Sequence, residues 1–266
     1  MDYDLKGKNI VVTGGSSGIG EAIVRQASER GANILFTYNS GEDRAKIIGT
    51  ETGSKPVKLE LGGDWREFSG NHGFRYLLEE MAGGIDYFIA NAGRELSGGM
   101  DKHTPEEIFR IVNINLIWNM FLIRELVYGN LMNRGGQITV IGSIAADGNH
   151  DQFAYSAAKA GLRGAVESLS RYDSLVKERG LGVKLLEPSF VRTPMTERIL
   201  KIIERKVIPR KGGDILVQEF KDKKLVMTCE YAAQEVLRLT LDPGVKGVRT
   251  IPEGVNFHDL REKYLS

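Results

Sequence analysis

Short runs of apolar residues alternate with longer amphipathic stretches along most of this chain. Such alternation is typical of a parallel sheet whose strands are joined by helices. It indicates an α/β fold with a single Rossmann-type, doubly wound parallel sheet and helices on both faces. The predicted strands are Asn9–Thr13, Asn33–Tyr38, Pro56–Leu61, Ile85–Ala90, Gln137–Gly142, Val183–Glu187 and Gly247–Ile251.

Helical patterns fill most of the intervals between these strands. The clearest start signal is Thr-Pro-Glu-Glu at 104–107, which predicts an N-cap at Thr104, proline in the first turn and a capping box closed by Glu107. The predicted helices are Gly18–Arg30, Trp65–Met81, Thr104–Met132, Phe153–Lys177 and Thr228–Leu241.

The alternation stops after the sixth predicted strand. Residues 193–224 contain nine Lys or Arg and five Asp or Glu, a net charge of +4 against +1 for the whole chain. They follow a strand, at the sheet edge where open α/β folds bind ligands. We interpret 193–224 as a substrate-loop insertion that acts as a lid over a polar or acidic substrate. The alternative is a solvated amphipathic helix with a basic outer face. Without a linker or internal repeat, residues 1–266 are predicted to form one domain.

Composition narrows the classes of partner. The net charge of +1 provides no global attraction for nucleic acid or an anionic membrane. The most apolar stretch, Ile111–Ile123, is interrupted by three asparagines, so no membrane span is predicted. The single Cys229 cannot form an internal disulfide. The opening residues MDYDLKGK lack the basic-then-apolar order of a signal peptide, and a cytoplasmic protein is expected.

A glycine-rich segment, Thr-Gly-Gly-Ser-Ser-Gly-Ile-Gly at 13–20, joins the first strand to the first helix. Glycines in this place let the backbone approach a pyrophosphate, which the helix N-terminus attracts. The spacing differs from the usual Gly-x-Gly-x-x-Gly, and an ordinary turn is the alternative. The predicted cofactor contacts in this segment are Gly14, Ser16, Ser17, Gly18 and Ile19.

Tyr155 and Lys159 stand four residues apart, which places them on one face of a helix. A phenol of pKa ~10 is a poor proton donor or acceptor at neutrality. A cation within ~4–6 Å favours the phenolate, and lowering the pKa by about three units corresponds to roughly 4 kcal/mol. The pair is therefore suited to general acid–base catalysis. By itself, Tyr-x-x-x-Lys is also common on solvated helices.

Taken together, these motifs resemble the short-chain dehydrogenase/reductase family. The resemblance extends from Leu5 to about Met195 and more loosely to Leu241, with the motifs in the family's order. It implies a nicotinamide-dependent oxidoreductase that interconverts a carbonyl and a secondary alcohol on a small or medium polyfunctional substrate. The matching segments are TGGSSGIG at 13–20, NAG at 91–93, Asn115, Ser143, YSAAK at 155–159 and PSFVRTPM at 188–195.

The resemblance implies four catalytic residues. Tyr155 would exchange a proton with the substrate oxygen, and Lys159 would lower the tyrosine pKa and bind the nicotinamide ribose. Ser143 would orient the carbonyl, and Asn115 would hold a water behind Lys159. From the residues alone, Asn115 could instead satisfy a neighbour within its helix, and Ser143 could be a strand-end cap. No metal site is identified.

The family likeness also implies further cofactor contacts. The turn at Asn91, Ala92 and Gly93 would face the adenosine ribose, although a plain turn is the alternative. The segment from Pro188 through Val191 to Thr193 would contact the nicotinamide, with Ser189 standing where the family usually has glycine. Adenine would lie near Glu60 and Leu61.

The residues after the second strand bear on the choice of cofactor. An acid at the strand's end would bind the ribose 2′-hydroxyl and repel a 2′-phosphate, but the strand ends at Tyr38. Asn39, Ser40 and Arg44 could bind a phosphate, whereas the acids at 42 and 43 count against it. Ser40 and Asp43 could also form a mere capping box. NADP(H) is favoured over NAD(H).

Two further residues, Arg94 and His150, are candidate substrate contacts beside Ser143 and Tyr155, although both could face solvent. The family's frequent C-terminal Asp-Gly-Gly is missing, which puts one usual oligomer contact in doubt. Small residues at 157–165 could still let helices of two subunits pack as a dimer or tetramer, or could pack on their own sheet. A sugar-nucleotide epimerase or dehydratase and a non-catalytic dinucleotide-binding protein remain competing functions.

Overall fold

The computed structural model describes residues 4–63, 81, 83–148, 152–202 and 226–251. Within these ranges, seven parallel strands form one sheet in the order β3-β2-β1-β4-β5-β6-β9, and β7 pairs with β8. This confirms the predicted doubly wound sheet. The strands are β1 (Asn9–Val12), β2 (Asn33–Tyr38), β3 (Lys55–Lys58), β4 (Ile85–Ala90), β5 (Met132–Ile141), β6 (Gly182–Pro188), β7 (Phe190–Val191), β8 (Val226–Met227) and β9 (Gly247–Ile251).

Helices cover both faces of the sheet, and alternating side chains of each strand enter two separate cores. Val11 on β1 packs in a cluster with Trp118 and Leu162. Its neighbours on the strand point the other way, as with Ile10, which packs in a cluster with Val236. The helices are α1 (Gly18–Ser28), α2 (Glu42–Thr52), α3 (Pro105–Val112), α4 (Trp118–Tyr128), α5 (Phe153–Tyr172), α6 (Ser174–Glu178), α7 (Glu197–Ile202) and α8 (Cys229–Leu241).

The long predicted helix Thr104–Met132 begins as expected and ends early. Its capping box forms, with Glu107 N donating to the Thr104 hydroxyl and the Glu107 carboxylate accepting from Thr104 N. A π-helical turn at Asn113–Ile117 separates α3 from α4. The predicted end at Met132 is wrong, because Asn130 adopts a left-handed conformation with φ of 59° and Met132 already belongs to β5.

The helices predicted from the sequence differ from the structure at two other places. Helix α2 was not predicted, and its N-cap is Gly41 without a side-chain capping bond, so the Ser40–Asp43 capping box is wrong. The predicted helix Phe153–Lys177 ends at Tyr172, where Asp173 caps the separate α6 by accepting from Val176 N at 2.8 Å. The predicted helix Trp65–Met81 falls almost wholly outside the described residues.

The helical stretch Pro105–Tyr128 is apolar and long enough to cross a bilayer by length and composition alone. One side of it packs into the core, with Trp118 at 2% exposure and Leu122 and Leu126 at 0%. Other apolar side chains of the same stretch, such as Phe109 and Met120, are exposed.

The strand order places the functional residues together. β1 lies between β2 and β4, so the chain winds outward in both directions from this point. Ligands of open α/β sheets bind at such a switch point, beyond the carboxyl ends of the strands. The glycine-rich turn follows β1, Asn91 follows β4 and Ser143 follows β5.

Candidate active site

The glycine-rich turn packs very closely against its surroundings. Gly14 and Gly18 have φ of +68° and +57°, a region that favours glycine. A Cβ on Gly15 would lie 2.5 Å from Phe36 Cβ, and one on Gly20 would lie 2.2 Å from Gly14 O. The N-cap Ser17 makes no side-chain capping bond, so N–H groups of the first turn of α1 can face an anion.

The turn after β4 is hydrogen-bonded to the glycine-rich turn. Asn91 Nδ2 donates to Thr13 O and Gly14 O, both at 3.1 Å. In return, Thr13 Oγ1 accepts from Asn91 N and Ala92 N, both at 3.0 Å. Asn91 therefore links the ends of β1 and β4 by hydrogen bonds. An ordinary turn does not account for these bonds.

A cleft of about 550 Å³ opens along the carboxyl edge of the sheet. It brings together most residues that the sequence predicted to bind cofactor or substrate. The predicted residues that line it are Gly14, Ser16, Ser17, Gly18, Ile19, Tyr38, Asn39, Ser40, Leu61, Asn91, Ala92, Gly93, Arg94, Ser143, Tyr155, Lys159, Pro188, Val191 and Thr193.

Two predicted residues lie elsewhere, and one cannot be placed. Glu60 is exposed and does not line the cleft, because the extended chain turns its neighbours Leu59 and Leu61 inward instead. Asn115 lies behind the lining with no exposed surface. His150 lies outside the described residues.

The sequence interpretation missed several lining residues. Arg110 and Ile114 reach the cleft from the long helix, and their spacing of four residues would have placed them on one face. Ser189, which lies within the segment 188–193 expected to contact the nicotinamide and departs there from the family pattern, also lines the cleft. Arg44, considered above as a phosphate contact, lines the cleft too. The other lining residues not predicted as contacts are Thr37, Gly41, Leu59, Ile141, Gly142, Pro194, Met195 and Thr196.

Ser143, Tyr155 and Lys159 share one wall of the cleft. The side chains of Tyr155 and Ser143 are hydrogen-bonded, and Ser143 Oγ also accepts from Ala145 N at 3.1 Å. Ser143 is thus both a cap for the 3-10 turn Ile144–Asp147 and a partner of the phenol. The Lys159 ammonium lies 5.6 Å from the centre of the Tyr155 ring.

Burial governs the titration of this pair. It raises the pKa of Tyr155 to about 12, while the Ser143 hydrogen bond lowers it and the Glu95 charge raises it. Burial also lowers the pKa of Lys159 to about 8. On balance the pKa of Tyr155 therefore lies above its usual value. Lys159 donates to Ile141 O at 2.8 Å, and the lowering of the tyrosine pKa by this lysine stays a prediction.

Asn115 lies in the π-helical turn and binds backbone groups. Its Nδ2 donates to Arg94 O at 2.8 Å and Ile111 O at 2.9 Å, and its Oδ1 accepts from Arg94 N at 3.2 Å. Its side chain therefore anchors the segment after Asn91, which matches the alternative of a polar helix residue that satisfies a neighbour. The water relay behind Lys159 stays a prediction.

The charged side chains that line the cleft are all basic in the part of the chain that the structure describes. Among the described residues, its lining includes Arg44, Arg94, Arg110 and Lys159 but no aspartate or glutamate. Arg44 is partly committed, since its Nη2 and Nε donate to Glu21 Oε2 at 2.6 and 2.9 Å. This arrangement favours an anionic ligand.

Comparisons with known proteins agree with this geometry. A family model described as short chain dehydrogenase matches residues 8–202. The 3-oxoacyl-[acyl-carrier-protein] reductase FabG of Haemophilus influenzae is 34% identical over 197 residues, covering 73% of this chain and 78% of the relative. The acetoacetyl-CoA reductase of Synechocystis sp. is 30% identical over 208 residues, covering 78% and 81%.

Solved structures show the same fold. BdcA in complex with NADPH superposes with a TM-score of 0.74 at 25% identity, over 93% of this chain and 94% of that protein. The reductase LugOII reaches a TM-score of 0.76 at 24% identity, over 92% and 96%. At 24% identity, the similarity to LugOII shows only that the two proteins share a fold.

Proposed function

Because the chain belongs to the short-chain dehydrogenase family, we propose that it reduces a ketone to a secondary alcohol with NADPH. Oxidoreductases of this family act on carbonyl groups with a nicotinamide cofactor, and this chain is one of them. The observation that carries the proposal is the shared wall of Ser143, Tyr155 and Lys159 in a cleft that begins at the glycine-rich turn. Since the relatives are reductases, the epimerase alternative has no support.

The cleft has the features that a dinucleotide needs. The close turn at 14–20 and the N-terminus of α1 would hold the pyrophosphate. Among the described residues, Lys159 donates only to Ile141 O, so two of its three N–H bonds remain for the nicotinamide ribose. When bound, the reduced nicotinamide would supply the hydride.

The protein's own residues would supply the proton. Ser143 and Tyr155 would both donate hydrogen bonds to the carbonyl oxygen, which polarises the carbonyl and fixes its orientation. As negative charge develops on that oxygen, Tyr155 would transfer its proton to it, and the Lys159 ammonium would stabilise the resulting phenolate. Asn115 would contribute indirectly, because its hydrogen bonds hold the backbone of Arg94 in place.

The preference for NADP(H) rests on the end of β2. Ser40, Asn39 and Arg44 line the cleft there, and no acid among the described residues does so. A 2′-phosphate would meet hydroxyl, amide and guanidinium donors. The NADPH complex of the structurally similar BdcA supports the same choice.

The relatives suggest which ketones to test first. Their names specify 3-oxoacyl and acetoacetyl thioesters, and the cationic lining suits substrates that carry phosphate or carboxylate. The first substrates to test are therefore compounds in which the ketone lies next to an acyl or acidic group. Residues 193–224 would form the lid over it, although 203–225 lie outside the described residues.

The test is a panel of ketones, including acetoacetyl-CoA, followed by nicotinamide absorbance with NADPH and with NADH. Tyr155→Phe removes only the transferable proton and should lower kcat by roughly 10²–10⁴-fold while NADPH still binds. Turnover within about threefold of the wild type would exclude Tyr155 as the proton donor. A preference for NADH would refute only the assignment of NADPH as the cofactor and would leave the proposed reaction standing.

The proposal includes a cytoplasmic homo-oligomer built from one domain, residues 1–266. Small residues on α5 are exposed at 157, 160, 161 and 164. Large apolar side chains also face solvent, with Phe109 at 72%, Met120 at 44% and Tyr172 at 76% exposure. Such a surface suits a second copy of the chain. Sedimentation analysis of the purified protein tests this, and a monomer at all concentrations would contradict it.

A further inference from the structure

A charged cluster behind the active-site wall joins one arginine to two carboxylates. Arg163 on α5 donates from Nε to Glu187 Oε1 and from Nη2 to Glu187 Oε2, both at 2.9 Å. Its Nη2 also donates to Asp147 Oδ1 at 2.9 Å. We call Asp147, Arg163 and Glu187 the arginine clamp.

Glu187 is the deeply buried member of the clamp. Its side chain is 2% exposed, against 27% for Asp147 and 29% for Arg163. A Cβ on Gly142 would lie 2.9 Å from Glu187 Cγ, so this side chain lies against the end of β5. A buried carboxylate needs a counter-charge to stay ionised. Burial raises the pKa of Glu187, whereas Arg163 and then Lys159 lower it.

Lys159 and Glu187 contact neighbouring residues at the end of β5, because Lys159 Nζ donates to Ile141 O at 2.8 Å and Glu187 lies against Gly142. The two charges also act on each other. Lys159 is 4% exposed, and the charge of Glu187 raises its pKa against the lowering by burial. Among the described residues, Glu187 is the acid whose charge acts on this ammonium. The tyrosine differs, because the acid that acts on Tyr155 is Glu95. The lysine thus has its own counter-charge.

The clamp also joins the three segments that form the active-site wall. Asp147 ends the 3-10 turn that follows Ser143, Arg163 lies on the helix of the tyrosine and lysine, and Glu187 lies near the end of β6. Residues that support an active site from behind in this manner fix the geometry of the groups in front.

We propose that Glu187, held by Arg163, is a positioning residue that keeps the Lys159 ammonium charged and aligned with Tyr155. This rests on the proposed function only for the role of Lys159 in turnover. The electrostatic coupling itself is a property of the fold. Loss of the carboxylate charge should therefore lower the pKa of Lys159, because burial would then act on the ammonium without an opposing charge.

The test compares Glu187→Gln with the wild type by ¹³C NMR of the reductively methylated protein, with the Lys159 signal assigned by Lys159→Arg. We expect the pKa of Lys159 to fall by about half a unit or more. The high-pH limb of kcat/KM for ketone reduction should move to lower pH by the same amount. The matched control is Glu235→Gln, which breaks the glutamate–arginine pair with Arg238 on α8 and should move neither value.

The outcomes separate the two proposals. A folded Glu187→Gln protein with an unchanged Lys159 pKa would overturn the positioning role, even if activity fell at every pH. A wild type that reduces no ketone while the Lys159 pKa still falls would refute the proposed function and leave the coupling standing. If Glu187→Gln does not fold, Glu187→Asp retains the charge and Arg163→Met removes the guanidinium. The first should keep the lysine pKa near the wild-type value, and the second should lower it, because buried Glu187 without its counter-charge takes up a proton.

Discussion

Gly20 in the first turn of α1 has no room for a side chain, and replacing it by alanine tests how closely the glycine-rich turn is packed. A Cβ there would lie 2.2 Å from Gly14 O and 2.5 Å from Asn91 Nδ2. Side-chain carbons do not approach backbone oxygen this closely, so the helix and the turn would have to separate by roughly 1 Å. That movement would also strain the bonds from Asn91 to Thr13 O and Gly14 O.

The size of the effect follows from these contacts. Overpacking costs typically about 1–3 kcal/mol, and each weakened hydrogen bond costs about 1 kcal/mol. Alanine returns about 1 kcal/mol as the better helix former. We expect Gly20→Ala to lower the free energy of unfolding by about 2–4 kcal/mol. Its affinity for NADPH should fall as well, because the turn that would hold the pyrophosphate is displaced.

The assay is urea denaturation followed by circular dichroism, with Gly164→Ala as the matched control. Gly164 is also helical, but a Cβ there meets nothing within 4 Å. Alanine at 164 should therefore stabilise the protein by up to about 1 kcal/mol. If Gly20→Ala were as stable as Gly164→Ala, the close approach of helix and turn would be wrong.

Further predictions concern the cofactor, the lid and a buried lysine. Lys159→Ala should weaken NADPH binding and lower kcat together, because one ammonium serves both the ribose and the phenol; unchanged cofactor affinity would exclude the ribose contact. Tyr38→Asp should shift the ratio of kcat/KM towards NAD(H), and a wild type that already prefers NAD(H) by more than about tenfold would refute the starting point. Hydrogen exchange at 193–224 should slow when cofactor and a substrate analogue bind together, whereas strong protection in both states would mean a fixed element. Lys184 donates to the carbonyls at the end of α8, and burial lowers its pKa to about 8 from 10.5. Since the unfolded chain then binds more protons, the unfolding free energy should rise from pH 8 to 10.5, and Lys184→Met should lack this rise in urea titrations.

Features that depend on neighbouring residues in the chain were predictable from the sequence. The capping box at Thr104 and Glu107 and the strands Asn33–Tyr38, Ile85–Ala90 and Gly247–Ile251 occur as predicted. The reason is that side-chain alternation and capping are determined within a few residues. Most of the cleft lining followed as well, since residues after the carboxyl ends of parallel strands meet at one edge.

Features that depend on contacts between distant segments appeared only in the tertiary structure. Glu60 follows β3, which pairs with β2. Its side chain nevertheless does not line the cleft, because the alternation of the extended chain turns Leu59 and Leu61 inward. The start of β5 at Met132 depends on pairing with Ile85, forty-seven residues earlier. Arg163 on α5 binds Glu187 near the end of β6 and Asp147 on the turn after β5, and no motif in the sequence connects these three residues. Sequence determines what each segment can form locally, whereas packing of the whole sheet decides which side chains of different segments meet.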